Sequence, residues 1–396
     1  MKKLKILYIA CGNGSDPTIG GSLLRTAEIA SRLSKEHTVS ILTSTGGKVA
    51  LAYLEDKCEI IEIKTNCSKS GNENFFLTKI FFSYLILLIK MPRVVRNLKF
   101  YDIVYTDSDG IWDITPALML KLKNKSVKFV SMNHHLITIR KDHLVSFFFS
   151  LINRTLQIAN IFLIKRFSDA IFVLDTSMGN EIALEYSQNK YMGEIFRVQN
   201  GVDCRLISQL EHQPKKYDAC FFGYLRPSKG LYQIAPIWKL VVERMPNAKL
   251  IIIGGMLTQY RKYLEQEIKR LSLESNILFS SYQPNKIDAL KLVKSSKVNI
   301  SPSQEEGWGI ALSEAMAAGL PSVTWSLESY QNVFTAGLLQ AKEPNLKDFS
   351  QAIINLLENN SLREDLGTKA SACIAMYDWN NVARMDLDHF INLCET

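Results

Sequence analysis

The chain has 396 residues, of which 47% are apolar and 22% charged, the balance of a soluble globular protein long enough for two cores. Its seven cysteines are scattered, odd in number and without a CxxC pair, which excludes a disulfide framework or a zinc site and points to a reducing compartment. The net charge of +8 sits wholly in residues 1–200, with 26 Lys/Arg against 18 Asp/Glu; residues 201–396 hold 21 of each, so two units with different partners are expected.

Short apolar runs alternate with helical periods along the chain, the pattern of parallel α/β layers. The N-terminal MKKLKILYIA is too short an apolar run for a signal peptide and leads straight into glycines, Asp16 and Pro17, so a cytoplasmic location is expected. Residues 5–10 read as a buried strand, 22–33 as a helix and 38–43 as a second strand. Strands follow at 103–106, 128–132 and 170–174. The polar stretch 204–217 reads as a linker. Beyond it come a strand (219–222), a helix (230–244), a strand (250–253) and a helix (259–271). A strand (277–280), a helix (286–295), a strand (298–301), a helix (310–318) and a strand (322–325) follow, and helices fill most of 347–396. The fold class is α/β, with two Rossmann-like sheets whose ligands belong at the carboxyl ends of the strands.

Four stretches carry chemistry. CGNGSDPTIGGS (11–22) follows the first strand and opens a helix at Gly20-Gly21, where free N–H groups suit a phosphate. It fails the dehydrogenase fingerprint, because Pro17 stands where the third glycine belongs and no acid ends the second strand. A glycine loop that merely reverses the chain is the other reading. In FFGYLRPSKG (221–230) a strand ends at Gly223 and Lys229 starts a helix; Arg226 and Lys229 are two cations suited to a diphosphate, or else an ordinary solvated pair. IIIGG (251–255) ends a strand at Gly254-Gly255, which admits either a ligand or a tight turn. In EEGWGIALSEAMAAGLP (305–321), Glu306 lies in a loop after a strand and Glu314 one turn into a helix. The N–H groups of Trp308, Gly309 and Ile310 lie between them. Two carboxylates for two sets of hydroxyls, with a phosphate-favouring helix start between, match a sugar–phosphate–ribose ligand. Each glutamate taken alone fits a solvated surface equally well.

That last stretch resembles the signature of the family-4, or group 1, nucleotide-sugar glycosyltransferases, E-G-[FW]-G-x-x-x-x-E-A-x-A-x-G-x-P, at every position. NGVD (200–203), Gly223–Gly230, MPNAKLIIIGG (245–255), Gly20-Gly21 and YDWNNVA (377–383) resemble further elements of the family in the right order. The resemblance implies the GT-B architecture, two Rossmann-like domains facing across a cleft with the C-terminal helix crossing back to the first. It implies an acceptor-side domain over 1–205, joined by helix 378–396, and a nucleotide-sugar domain over 206–377.

By the same resemblance Glu306 holds hydroxyls of the donor sugar and Glu314 the ribose. The backbone of Gly307, Trp308, Gly309 and Ile310 meets the sugar or diphosphate, and Lys229 is the diphosphate lysine. Gly223, Gly254 and Gly255 complete the donor site. The family arginine is replaced by Tyr224, so Arg226 is expected to take its role. A catalytic histidine after a first-domain strand is implied; His134 aligns with it, and adjacent His135 is the alternative. Asp107-Ser108-Asp109 has the DxD form that binds a metal in the other large glycosyltransferase fold. Here it is expected to be a loop or acceptor-side feature, and no metal or cofactor is expected.

The implied function is retaining transfer of a sugar from a UDP-, GDP- or ADP-sugar to a hydroxyl of a lipid-linked or cell-surface glycan acceptor. A sugar-nucleotide 2-epimerase of the same fold, or a non-catalytic subunit, are the other classes. The apolar run between Lys79 and Lys90 is too short to span a bilayer, but it precedes Arg93, Arg96 and Lys99. Residues 121–166 hold nine Lys/Arg against the single acid Asp142. A peripheral contact with an anionic membrane is expected, against the alternative of an ordinary buried helix, and no nucleic-acid partner.

Overall fold

The computed structural model describes residues 3–12, 14, 16, 19–65, 76–137, 144–188, 191–280 and 285–395, without the side chains of 76–83 and 144–149. The chain forms two compact units, Met1–Gln199 with Asn380–Thr396, and Asn200–Trp379.

Unit 1 runs β1 (Lys5–Ala10), α1 (Gly21–Leu33), β2 (Thr38–Ser44), α2 (Thr45–Ala50), β3 (Glu59–Ile63), α3 (Phe76–Arg96), β4 (Ile103–Thr106) and α4 (Ile111–Lys123). β5 (Lys128–Asn133), α5 (Leu144–Phe167), β6 (Ala170–Leu174), α6 (Ser177–Ser187) and β7 (Glu194–Val198) complete its N-terminal part. The seven strands are parallel in the order β3-β2-β1-β4-β5-β6-β7. β1 lies inside the sheet with helices on both faces, which is why Ile6–Ala10 is one uninterrupted apolar run, at most 1% exposed.

Unit 2 runs α7 (Cys204–Gln209), β8 (Tyr217–Phe222), α8 (Ile234–Arg244), β9 (Leu250–Ile253), α9 (Thr258–Arg270), β10 (Ile277–Phe279), α10 (Lys286–Lys294) and β11 (Ser296–Ser301). α11 (Ile310–Ala317), β12 (Ser322–Trp325), β13 (Leu338–Ala341), α12 (Leu346–Glu358) and α13 (Asn360–Ala375) follow. Its six strands are also parallel, in the order β10-β9-β8-β11-β12-β13. A cluster around the fully buried Trp238 and Trp325 forms its core.

The last helix, α14 (Trp379–Glu395), packs within unit 1 from Asn380 onward. Phe390 stacks on Phe172 with ring centroids 5.6 Å apart, and His389 stacks on Phe196 at 4.2 Å. Buried Asp386 receives Arg25 Nη2 of α1 at 2.8 Å. Arg25 also donates to Tyr105 Oη (3.1 Å) and Gln199 O (3.2 Å), so a guanidinium that is 1% exposed is satisfied on three sides.

Three strands went unread in the sequence: β3, β7 and β13. All are edge strands, half-exposed and therefore mixed in polarity (EIIEI, EIFRV, LLQA). A short helix, α7, also stands where the sequence read as linker, because Asp203 Oδ1 accepts from Leu206 N at 2.9 Å and caps it.

Candidate functional site

In each sheet the strand order reverses beside the first strand, at β1/β4 in unit 1 and β8/β11 in unit 2. Open α/β sheets bind ligands at that switch point, outside the carboxyl ends of the strands. The residues singled out in the second half lie at the ends of β8, β9 and β11, so the topology gathers them.

β8 ends at Gly223, which has φ +133°. Gly254 at the end of β9 shares that conformation, and a Cβ on it would lie 2.1 Å from Gly223 O. The glycine of IIIGG is therefore demanded by its neighbouring strand, and the close approach is backbone to backbone. Gly255 meets the Tyr224 ring, 3.2 Å from its Cβ position, and Tyr224 is half exposed.

Lys229 does not start α8, contrary to expectation. It closes a 3-10 turn, Pro227–Lys229, that stops at left-handed Gly230 (φ +84°), and α8 begins only at Ile234. A Cβ on Gly230 would be 2.4 Å from Pro302 O. That contact, with Gln304 N donating to Ser228 O at 3.0 Å, seats the turn against the loop after β11. Lys229 Nζ consequently reaches Glu306 Oε1 at 2.5 Å and Glu305 O at 3.3 Å. Ser303 Oγ donates to the same Glu306 oxygen at 3.2 Å. Arg226 is exposed one residue before the turn.

Neither glutamate is a solvated surface group. The Glu306 side chain is 14% exposed, and Glu314 is 5% exposed, paired with Lys286 of α10. Between them, Gly307 faces open space, since a Cβ there meets nothing within 4 Å. Trp308 is buried edge-on against Tyr377, 5.2 Å between centroids. Gly309 caps α11 in the left-handed conformation (φ +92°), and Ile310 begins the helix. With no side-chain cap, the first N–H groups of α11 stay available between the two carboxylates. Lys286 was missed in the sequence because only the fold brings α10 to α11. The stretch 281–285 links β10 to α10. Of it, 281–284 lie outside the described residues, and Asn285 caps α10 through Ile287 N at 2.9 Å.

In unit 1, Gly20 caps α1 with open space around it, and Gly21 opens the helix. Asn13, Ser15, Pro17 and Thr18 of that loop lie outside the described residues. His134, just after β5, is half-buried, and desolvation lowers its imidazole to about 4. Its Nε2 is 2.9 Å from Asp107 O. A carbonyl only accepts, so Nε2 carries the proton and Nδ1 is left as an acceptor. His135 is exposed, and its carbonyl accepts from Gln157 Nε2 at 2.9 Å.

The Asp107-Ser108-Asp109 triplet divides among three partners. Asp107 accepts from Thr26 Oγ1 (2.6 Å), Ser108 donates to Asp113 Oδ2 (2.6 Å) and Asp109 accepts from Gln157 Nε2 (2.8 Å). Burial pushes Asp107 up to about 6, and Asp113 well above the carboxylate range. The triplet acts as loop structure, and among the described residues no group of three potential metal ligands forms.

The sequence profile of the family described as "Glycosyl transferases group 1" matches residues 205–372. A phosphatidyl-myo-inositol mannosyltransferase of Mycobacterium tuberculosis is 28% identical over 217 residues, 52% of this chain and 56% of that protein. A GDP-mannose:cellobiosyl-diphosphopolyprenol alpha-mannosyltransferase of Xanthomonas campestris is 27% identical over 202 residues, 49% and 51% of the two chains. The chain thus spans about half the length of these curated relatives. The crystal structure of Anabaena HepE in complex with UDP and glucose superposes with a TM-score of 0.71 at 16% identity, covering 98% of this chain and 99% of that one. The matched segment contains the Glu306–Glu314 stretch and the Lys229 turn, so residues 205–372 are similar to the group 1 glycosyltransferases, and the two-sheet architecture is that of GT-B proteins along its full length.

Proposed function

We propose that the protein is a retaining glycosyltransferase that moves a sugar from a nucleotide-diphosphate sugar to a hydroxyl of a lipid-linked or cell-surface glycan precursor, at the cytoplasmic face of a membrane. The observation that carries this reading is the pair Glu306 and Glu314, each held by a lysine from another element, on either side of the uncapped start of α11. Residues 206–377 form the donor side. Residues 1–205, with helix 378–396, form the acceptor side.

Glu314 takes the ribose hydroxyls and Glu306 the hydroxyls of the transferred sugar. The N–H groups of Trp308–Ile310, Lys229 and exposed Arg226 take the diphosphate, whose negative charge grows as the bond to the anomeric carbon breaks. Fixed cations and a helix start supply that stabilisation from the chain itself. The acceptor oxygen forms its bond to the anomeric carbon on the face the diphosphate leaves. The acceptor's proton passes to the departing phosphate oxygen, and the products are a glycoside and a nucleoside diphosphate. Neutral His134, with Nδ1 as an acceptor, serves the reacting sugar without adding charge. The names of the two mannosyltransferase relatives support an acceptor built on a lipid or a polyprenol diphosphate.

Incubation with UDP-, GDP- and ADP-sugars, with and without a membrane extract, tests the reading. Nucleoside diphosphate released only when the extract is present supports transfer. An isomerised sugar nucleotide without release supports an epimerase, and binding without turnover a non-catalytic subunit.

A further inference from the structure

Helix α5 buries Ile161 and Ile164 in the core but carries polar residues beside them and apolar ones outside. Its inward face carries Ser150, Gln157 and Asn160, all buried. Gln157 Nε2 donates to Asp109 Oδ2 and His135 O, and Asn160 Nδ2 donates to Asp109 O at 2.8 Å. Its outward face exposes Leu151, Ile152, Leu156, Ile158 and Phe162 at 37%, 56%, 47%, 54% and 69%, with Asn153, Thr155 and Arg166 exposed as well. Leu151, Ile158 and Phe162 recur at i, i+7 and i+11, and Ile152 and Leu156 line the adjacent row, so they form one stripe. A surface meant for water exposes such residues singly.

The charge around this stripe is mainly basic, although Lys165 pairs with Glu185 of α6 and Lys121 with Asp169. α5 packs on α4, α4 packs on α3, and the three helices share one hydrophobic cluster over the sheet. Together they hold nine lysines and arginines and a single carboxylate, Asp113, which is buried. α3 exposes Leu85 (43%) and Ile89 (69%) beside exposed Lys90, Arg93 and Arg96. Among the described residues, no helix is long and apolar enough to cross a membrane. A second copy paired symmetrically through this layer would set the same cations against each other. An anionic lipid surface matches both features, with phosphates for the cations and an acyl boundary for the stripe.

We propose that α5 lies in the interface of an anionic bilayer, with Leu151, Ile152, Leu156, Ile158 and Phe162 inserted and the basic end of α3 on the headgroups. This rests on the lipid-linked acceptor proposed above and names the surface that brings the protein to it. Gln157 and Asn160 then tie the inserted helix directly to the Asp109 and His135 loops, at the carboxyl ends of β4 and β5.

Co-sedimentation with vesicles of phosphatidylcholine and phosphatidylglycerol in equal parts, and of phosphatidylcholine alone, tests the surface. Wild type should pellet with the mixed vesicles and far less with the neutral ones. Ile158→Gln and Phe162→Gln, both at exposed positions that leave folding intact, should each weaken partition about tenfold. Arg93→Glu with Arg96→Glu should weaken it on anionic vesicles only. Wild type that stays in solution, apolar variants that partition unchanged, or a lipid-free dimer abolished by Phe162→Gln would each overturn the proposal. Nucleoside diphosphate binding measured alongside separates the two readings. Nucleotide binding without vesicle binding overturns the surface alone, and vesicle binding without nucleotide binding overturns the donor site alone.

Discussion

Lys229 Nζ lies 2.5 Å from Glu306 Oε1, joining the loop after β8 to the loop after β11 at the point where the strand order of unit 2 reverses. The two side chains are 20% and 14% exposed, so the pair is screened from bulk water yet open enough to meet a ligand. Lys229→Met removes the cation proposed to hold the diphosphate and leaves Glu306 with Ser303 as its partner. Nucleoside diphosphate affinity should fall about a hundredfold by calorimetry, as for other half-removed charge pairs. Unchanged affinity would remove Lys229 from the donor site.

Gly254 and Gly307 look alike in the sequence, and the structure separates them. Gly254→Ala forces a Cβ to 2.1 Å from Gly223 O at φ +133°, and should cost about 2–4 kcal/mol of stability in denaturant unfolding. Gly307→Ala enters open space and should stay within about 0.5 kcal/mol of wild type. Any loss in Gly307→Ala should appear in donor affinity instead.

Much of the architecture was legible because central strands of a parallel sheet are buried on both faces and read as unbroken apolar runs, as in residues 5–10 and 250–253. The edges β3, β7 and β13 were not legible, since half-exposed strands mix polar with apolar residues. The Glu306–Glu314 loop was legible because Glu306, Gly309 and Glu314 are neighbours in sequence. Lys286 and the Arg25–Asp386 pair were not, because their partners are 28 and 361 residues away and no local pattern announces them. The sequence left Gly254 open between a ligand approach and a tight turn; the Gly223 carbonyl 2.1 Å from its Cβ position accounts for the glycine from within the sheet.

Arg25 and Asp386 bind α14 into unit 1 at 1% side-chain exposure each. Asp386→Asn removes the countercharge from a buried guanidinium and should destabilise the protein by about 3–5 kcal/mol. Arg25→Met combined with Asp386→Leu leaves no buried charge and should recover most of that loss. Urea midpoints of the single and double variants measure the difference.

His134 and Asp107 titrate in opposite senses over the same pH range. Desolvation lowers His134 from 6.5 to about 4, so the unfolded chain binds that proton more readily. Its contribution to stability is present above pH 6.5 and is lost as pH falls towards 4. Burial raises Asp107 from 3.8 to about 6, so its contribution is present below pH 3.8 and is lost as pH rises through 6. The two slopes offset each other. His134→Gln removes the His134 slope and leaves that of Asp107, so stability should fall relative to wild type by about 3 kcal/mol between about pH 4 and about pH 6. Parallel stability-against-pH curves for variant and wild type across that range would contradict the lowered His134 titration.

The most direct test of the account is a comparison of Glu306→Gln with Glu314→Gln, reading nucleoside diphosphate affinity by calorimetry and sugar transfer by acceptor-dependent release. Glu306→Gln should keep its nucleotide affinity within about threefold and lose transfer about a hundredfold, while Glu314→Gln should lose nucleotide affinity about tenfold or more. Glu306→Gln transferring sugar at the wild-type rate, or Glu314→Gln binding nucleotide as tightly as wild type, would contradict it.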